Sequence, residues 1–186
     1  MPSLPELREP LTDGLVDVRG GAERDIPEIL IAYQDDPSLY VRMGQLRPPS
    51  GAELGRRAER AEADRVAGRR LTLTVLEAGD DTCRGQIHVH SVDWDNSRAD
   101  LGIWVVPQRR GRGLGSRALA LVAGWLLRES GLQRVGLFTE SDNDRMIGAA
   151  QAAGFEHEGV LRGYTRERGE RVDNAVLSMV VRDLRG

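Results

Sequence analysis

Glycine stands at every second position from Gly111 to Gly115, with arginines at 109, 110 and 112 around it, directly after the apolar run W-V-V-P at Trp104 to Pro107. A long apolar-periodic segment begins at Leu114. The chain therefore has to pass from a strand into a helix through a turn with no Cβ at three places. Glycine there permits positive φ and lets a ligand approach the backbone closely. The start of a helix adds unpaired N–H groups and the positive end of a dipole. Arg109, Arg110 and Arg112 supply guanidinium donors suited to phosphate oxygens. This is an anion cradle opening a helix.

Spacing narrows the anion. A Walker loop needs G-x-x-x-x-G-K-[ST], and no lysine follows these glycines. A dinucleotide fingerprint needs glycine where Ser116 stands, and it belongs at the first strand of its domain. What the residues do spell is Q-x-x-G-x-G, at Gln108, Gly111 and Gly113, followed by Gly115. That pattern resembles the pyrophosphate loop of the GNAT superfamily, the acyl-CoA-dependent N-acyltransferases. Downstream, T-E-S-D-N-D-R-M-I-G-A-A-Q-A-A-G-F at Thr139 to Phe155 is similar to the superfamily's N-x-x-[SA] and G-F segment. E-G-V-L-R at Glu158 to Arg162, Asp173, and L-S-M-V-V-R-D-L at Leu177 to Leu184 resemble its ribosomal-protein N-acetyltransferase branch.

The resemblance implies a mixed α/β (α+β) fold, with a mostly antiparallel central sheet of six or seven strands flanked by about four helices. It implies acetyl-CoA as co-substrate, with no metal, and a primary amine as acceptor, either a protein N-terminal amine or a small molecule. Backbone groups of Trp104, Val105 and Val106 would meet the pantetheine arm. Gln108, Arg109, Arg110, Gly111, Arg112, Gly113, Leu114, Gly115 and Ser116 form the loop, and Asn143 matches the asparagine that contacts the cofactor arm.

Composition agrees with a soluble globular chain: 186 residues, 40% hydrophobic and 30% charged. The net charge of −3 and the pI near 5.7 give no general attraction to nucleic acid or to a membrane surface. A single cysteine, Cys83, excludes an intrachain disulfide, and the expected compartment is a reducing cytoplasm. No apolar run is long enough to span a bilayer. Isologous homodimers are common in such folds, though no residue here marks an interface.

Along the chain, residues 1–14 carry Pro2, Pro5 and Pro10 and are expected as a flexible N-terminal arm, with residues 15–184 as one domain. Leu15 to Arg19 alternates as a strand, and Asp25 with Pro27 opens an amphipathic helix that D-D-P at Asp35 to Pro37 ends. Tyr40 to Gly51 reads as loop with room for one short turn, and Ser50 to Arg69 as a helix with a narrow apolar face. Strands are expected at Leu71 to Glu77, Gly85 to Val92 and Ser97 to Val106. Helix from Leu114 to Leu127, strand from Arg134 to Thr139, and a helix capped by Ser141 or Asp142 and closed at Gly154 follow. Two strands, Phe155 to Tyr164 and Asn174 to Arg182, finish the layer.

Acyl transfer needs an oriented thioester, a neutral amine and a proton for the leaving thiolate. Related chains carry A-[ED]-x-G with an acid before the cofactor strand. The resemblance implies that Asp100, at that place, accepts the amine proton through water. Glu140, ending the strand after the loop helix, is a further acid near the expected thioester. His88 and His90, two apart, share a strand face. They could form a base or a metal pair, but with no third ligand they make a poor metal site, and ordinary strand histidines are the preferred reading. Where many relatives of this kind carry a tyrosine or a serine as acid, this chain has Ala150 and Met146. Tyr164 or water is left to protonate the thiolate. Those two departures motivate an alternative, a catalytically weak acyl-CoA-binding sensor or scaffold. Trp94, in a W-D-N-S turn, is a candidate for acceptor contact.

Overall fold

The computed structural model describes residues 2–167 and 169–185. Eight strands form one sheet: β1 (Leu11–Thr12), β2 (Val16–Gly20), β3 (Leu71–Glu77), β4 (Gly85–Asp93), β5 (Arg98–Val105), β6 (Arg134–Glu140), β7 (Glu156–Glu167) and β8 (Glu170–Val180), in the order β1-β2-β3-β4-β5-β6-β8-β7. Every neighbouring pair is antiparallel except β5 with β6. The parallel pair follows from its connection, since parallel strands need a crossover and here it is helix α4 (Leu114–Glu129).

The sheet separates two apolar layers. On one face, Val16, Val18, Leu73, Val75, Ile87, Val89 and Leu101 pack under α4, which contributes Leu119, Val122 and Leu126. Helix α5 (Asp144–Ala152) shares that layer through Ala150. On the other face Trp104, Cys83 and Leu54 join Ile29, Ala32, Tyr33 and Leu39 beneath α1 (Ile26–Asp35), the single-turn α2 (Leu39–Arg42) and α3 (Gly51–Val66). Helix α3 is polar around most of its surface, and a capping box fixes its start: Ser50 Oγ accepts from Glu53 N–H, and Glu53 accepts from Ser50 N–H at 2.8 Å.

The expected mixed α/β fold is present, with eight strands where six or seven were expected and five helices where about four were. The additional strand is β1, whose two residues pair with Asp17 and Val18. Upstream of it Leu4 is fully buried and exchanges hydrogen bonds with Arg65, donating its N–H at 3.1 Å and accepting from Nη1 at 2.8 Å. The stretch read as loop from Tyr40 to Gly51 contains part of α2. Asn143, rather than Ser141 or Asp142, caps α5, and Trp94 is turned inward, donating its indole N–H to Gly68 C=O at 3.0 Å.

Among the described residues the most deeply buried carboxylate is Asp25. Asp25, 2% exposed, receives both Nη groups of Arg19 at 2.7 and 3.0 Å, the Thr74 hydroxyl at 2.6 Å and the Ala22 N–H at 3.0 Å. Burial alone would raise its pKa, but these donors outweigh that and lower it. The cluster pins the start of α1 to β2 and β3.

Candidate active site

The β5–β6 pairing runs only from Arg98↔Arg134 to Asp100↔Gly136. Beyond it a cleft of about 1590 Å³ lies between the two strands, lined by Leu101 to Val105 of β5 and Leu137 to Glu140 of β6. The edge of β5 that β6 leaves free thus faces this cleft. The first turn of α4 closes one end, and Leu39 to Leu46 walls another side.

The glycine-rich loop enters at the mouth. A single 3-10 turn, Pro107–Arg109, leads to Gly111 with φ 74° and Gly113 with φ 80°, which is the N-cap of α4. The first helical bond is donated by Arg117 N–H to Gly113 C=O at 3.0 Å. Among the described residues no protein acceptor receives the N–H groups of residues 111–116. Six consecutive donors at a helix start form the anion cradle. Gly115 faces Val105 and Ile103, and a Cβ there would meet them at ordinary contact distances of 3.6 and 3.8 Å.

The arginines divide their work. Arg109 pairs with Glu77 at 3.3 Å. Arg110 donates Nε to Val105 C=O at 2.8 Å and Nη2 to Asp36 at 2.5 Å. Gln108 donates to Asp35 at 2.7 Å. Of the three loop arginines, Arg112 alone has no carboxylate partner among the described residues and is open to an anion. Trp104 is buried against α1, and Val106 N–H is taken by Arg84 C=O at 2.9 Å. Leu114 is buried, and Ser116 Oγ donates to Gly113 C=O at 3.0 Å.

Across the cleft, Asn143 Oδ1 accepts from Met146 N–H at 3.2 Å while its Nδ2 donates to Thr139 Oγ1 at 2.9 Å. Thr139 in turn donates to Glu140 at 3.1 Å. Asn143, Glu140 and the loop glycines all border the same cleft. Ala150 is fully buried and Met146 packs on the core, so no proton donor stands at either place.

Asp100 and Tyr164 lie outside the cleft lining. Tyr164 is 52% exposed and stacks on Phe138 at 5.5 Å between ring centroids. Asp100 sits one residue before the strands part, its carboxylate laid over Gly136, where a Cβ would come within 2.6 Å of Oδ1. Its cross-strand partner His90 does line the cleft. A register shift between His90 and Asp93 and a φ of 51° at Ser91 turn the Ser91 hydroxyl to 2.9 Å from His90 Nδ1. Asp100 lies near the same turn, and the proximity of Ser91 partly offsets the rise of its carboxyl. Burial raises the Asp100 carboxyl, and burial lowers His90, with Asp100 partly opposing and Arg70 reinforcing. His88, hydrogen-bonded to Thr72 at 3.2 Å, is pulled by burial to about 3 and faces inward. The Ser91 link and the carboxylates of Asp35 and Asp36 had no local signal in the sequence.

Comparison with known proteins identifies this arrangement. A model of the acetyltransferase (GNAT) domain matches residues 18–156. The chain belongs to the GNAT acetyltransferase family. Among GNAT relatives, it is 30% identical over 96 residues to the uncharacterized N-acetyltransferase YoaA of Bacillus subtilis, covering 52% of this chain and 54% of YoaA, so the match spans about half of that relative. The fold superimposes on Mycobacterium smegmatis RimJ in complex with CoA-disulfide, with a TM-score of 0.79 and 21% identity, over 96% of this chain and 88% of that one. It also matches a Salmonella typhimurium acetyl transferase that modifies the N-terminal serine of ribosomal protein L7/L12, with a TM-score of 0.80 and 15% identity, over 93% and 99% of the two chains. Within this GNAT domain the described residues contain no cluster of three metal-ligating side chains, and no helix is long and apolar enough to cross a membrane.

Proposed function

We propose that the chain transfers the acetyl group of acetyl-CoA directly to a primary amine. The observation that carries this reading is the run of unpartnered N–H groups at residues 111–116, set at the mouth of the cleft that opens where β5 and β6 part. The pyrophosphate rests on those N–H groups with Arg112 beside it, the pantetheine arm follows the free edge of β5 at Trp104 and Val105, and Asn143 meets it from the opposite wall. In this orientation the thioester lies near the parting of the strands. The amine attacks its carbonyl carbon, the C–N bond forms, the C–S bond breaks, and CoA leaves as thiolate.

Two protons have to move. His90, whose neutral form burial favours, accepts the amine proton, with the Ser91 hydroxyl against its Nδ1 and Asp100 across the strand pair. Asp100 acts through His90 and is a positioning residue. Glu140 is the other acid on the cleft wall. Water protonates the thiolate, whose modest pKa makes a strong acid unnecessary. Tyr164, on the open sheet face, is the remaining hydroxyl within the expected set. The acceptor is a protein N-terminal amine or a small-molecule amine, the L7/L12-modifying enzyme supporting the first.

Calorimetry tests the cradle. CoA binds more tightly than 3′-dephospho-CoA and ATP, and equal weak binding of all three removes the assignment. Gly113→Val checks the same backbone. Its φ of 80° strains a β-branched residue, whereas no atom lies within 3.7 Å of an added Cβ. The exposed turn relaxes when empty, so CoA affinity falls by about tenfold to a hundredfold while the melting temperature barely changes. An unchanged affinity counts against the loop as the pyrophosphate site.

The second reading, an acyl-CoA-binding module of weak activity, rests on Met146 and Ala150. Binding of CoA without acetylation of any amine favours it.

A further inference from the structure

The cofactor loop and the wall of the acceptor side are joined by two successive carboxylates. At the end of α1, Asp35 accepts from Gln108 at 2.7 Å and Asp36 accepts from Arg110 at 2.5 Å. Gln108 and Arg110 belong to the turn that delivers the chain into the cradle. Asp36 is only 8% exposed and on its other side holds α2: it pairs with Arg42, and it accepts from Ser38 Oγ at 2.7 Å and Ser38 N–H at 3.2 Å. Arg42 closes the ring by donating to Ser38 Oγ at 2.7 Å.

What hangs from this junction is anchored near its start, by buried Leu39 with Tyr40 and Met43 packed beside it, and is mostly exposed beyond Met43. Helix α2 has four residues, Met43 to Pro49 has no regular structure, and Leu46 is fully exposed. Segments with little buried surface and few backbone bonds are the first to open locally. Leu39 to Leu46 nevertheless forms one wall of the cleft.

We propose that Asp36, assisted by Asp35, is a positioning residue that couples the two halves of the site: loading the loop with CoA further orders residues 36–46, of which Leu39 to Leu46 already wall the cleft. An anion on residues 111–116 fixes the loop, and the fixed loop holds the Arg110 guanidinium against Asp36 and Val105 C=O. Asp36 then holds Ser38 and Arg42, which set α2. Rigidity at one site lowers the entropic cost of order at the other, which is positive coupling without a large displacement. Arg110 on this account serves the protein side of the loop and leaves direct anion contact to Arg112 and the backbone.

The proposal rests on the CoA reading, and amide hydrogen exchange separates the two. In the wild type, saturating CoA slows exchange in peptides covering 110–116 and 36–46, each by about tenfold. In Asp36→Asn the loop keeps its protection and the effect at 36–46 drops below about twofold. Asp35→Asn, an exposed position that leaves the Asp36 pairs intact, loses part of the effect at 36–46 and decides the matter alone should Asp36→Asn not fold. Equal CoA protection of 36–46 in wild type and both variants means the ligand covers the segment directly and overturns the coupling. So does a wild-type segment 36–46 that does not respond while 110–116 does. No protection of 110–116 in the wild type removes the CoA reading, and the coupling with it.

Discussion

Replacing His90 by alanine lowers kcat/KM for an amine acceptor by about 10²- to 10⁴-fold, the usual worth of a positioned base, with CoA affinity unchanged. The residue is placed for this by the sheet. Asp100 on β5 lies directly across from His90 on β4, and the bulge after His90 puts Ser91 against its ring and near Asp100. A smaller loss is expected from Asp100→Asn, because that change leaves the base and removes only its orientation and its field. The pH dependence distinguishes the two. Asp100 opposes the downward shift of His90, so Asp100→Asn lets the His90 pKa fall further, and the acid limb due to His90 moves to lower pH. Titration of the acceptor amine itself does not move between the variants. Kinetics of His90→Ala indistinguishable from wild type would pass the role to Glu140, which Glu140→Gln then tests.

Asp25→Ala destabilises the fold by about 3–5 kcal/mol, the cost of leaving one member of a buried ion pair alone, or a fall in Tm of about 10 °C. Arg19 keeps one partner, Asp81 at 2.7 Å, which places the loss toward the lower end. Asp81 is itself 59% exposed, and Asp81→Ala costs at most about 1 kcal/mol. The pH dependence has a definite sign. A carboxylate whose pKa is lowered by folding stabilises the native state only while ionised. The contribution of Asp25 is therefore complete above the unfolded value of about 3.9 and is lost as pH falls below it. Wild-type and Asp25→Ala denaturation midpoints differ at pH 7 and converge in acid. A difference that persists unchanged into acid would show that Asp25 acts by packing instead of charge.

The parts of the site that were legible in the sequence are those with local backbone demands. Glycine takes the positive φ values at 111 and 113 without steric cost, and the helix that follows declares itself by its apolar period. Strands β3 to β6 were readable from alternation for the same reason. The remainder depends on register and on distant contacts. β1 is two residues long and exists through its pairing with β2. His90 looked ordinary because its relation to Asp100 is set by cross-strand register and a bulge, neither visible in spacing. The bonds from Gln108 to Asp35 and from Arg110 to Asp36 span 73 and 74 residues. Arginines counted as phosphate donors on composition turned out, at 109 and 110, to be engaged with carboxylates of the fold.

The central claim is acetyl transfer from acetyl-CoA to an amine at this cleft, and a mass-balanced turnover assay tests it most directly. Free thiol released from acetyl-CoA is followed over a panel of peptides with free N-termini and small primary amines, while mass spectrometry weighs each acceptor. The account predicts at least one acceptor that gains a single acetyl group in amounts equal to the thiol released, with the rate collapsing in His90→Ala and Gly113→Val. Tight CoA binding with no acceptor acetylated, or thiol release with the acetyl group ending in water, would contradict it.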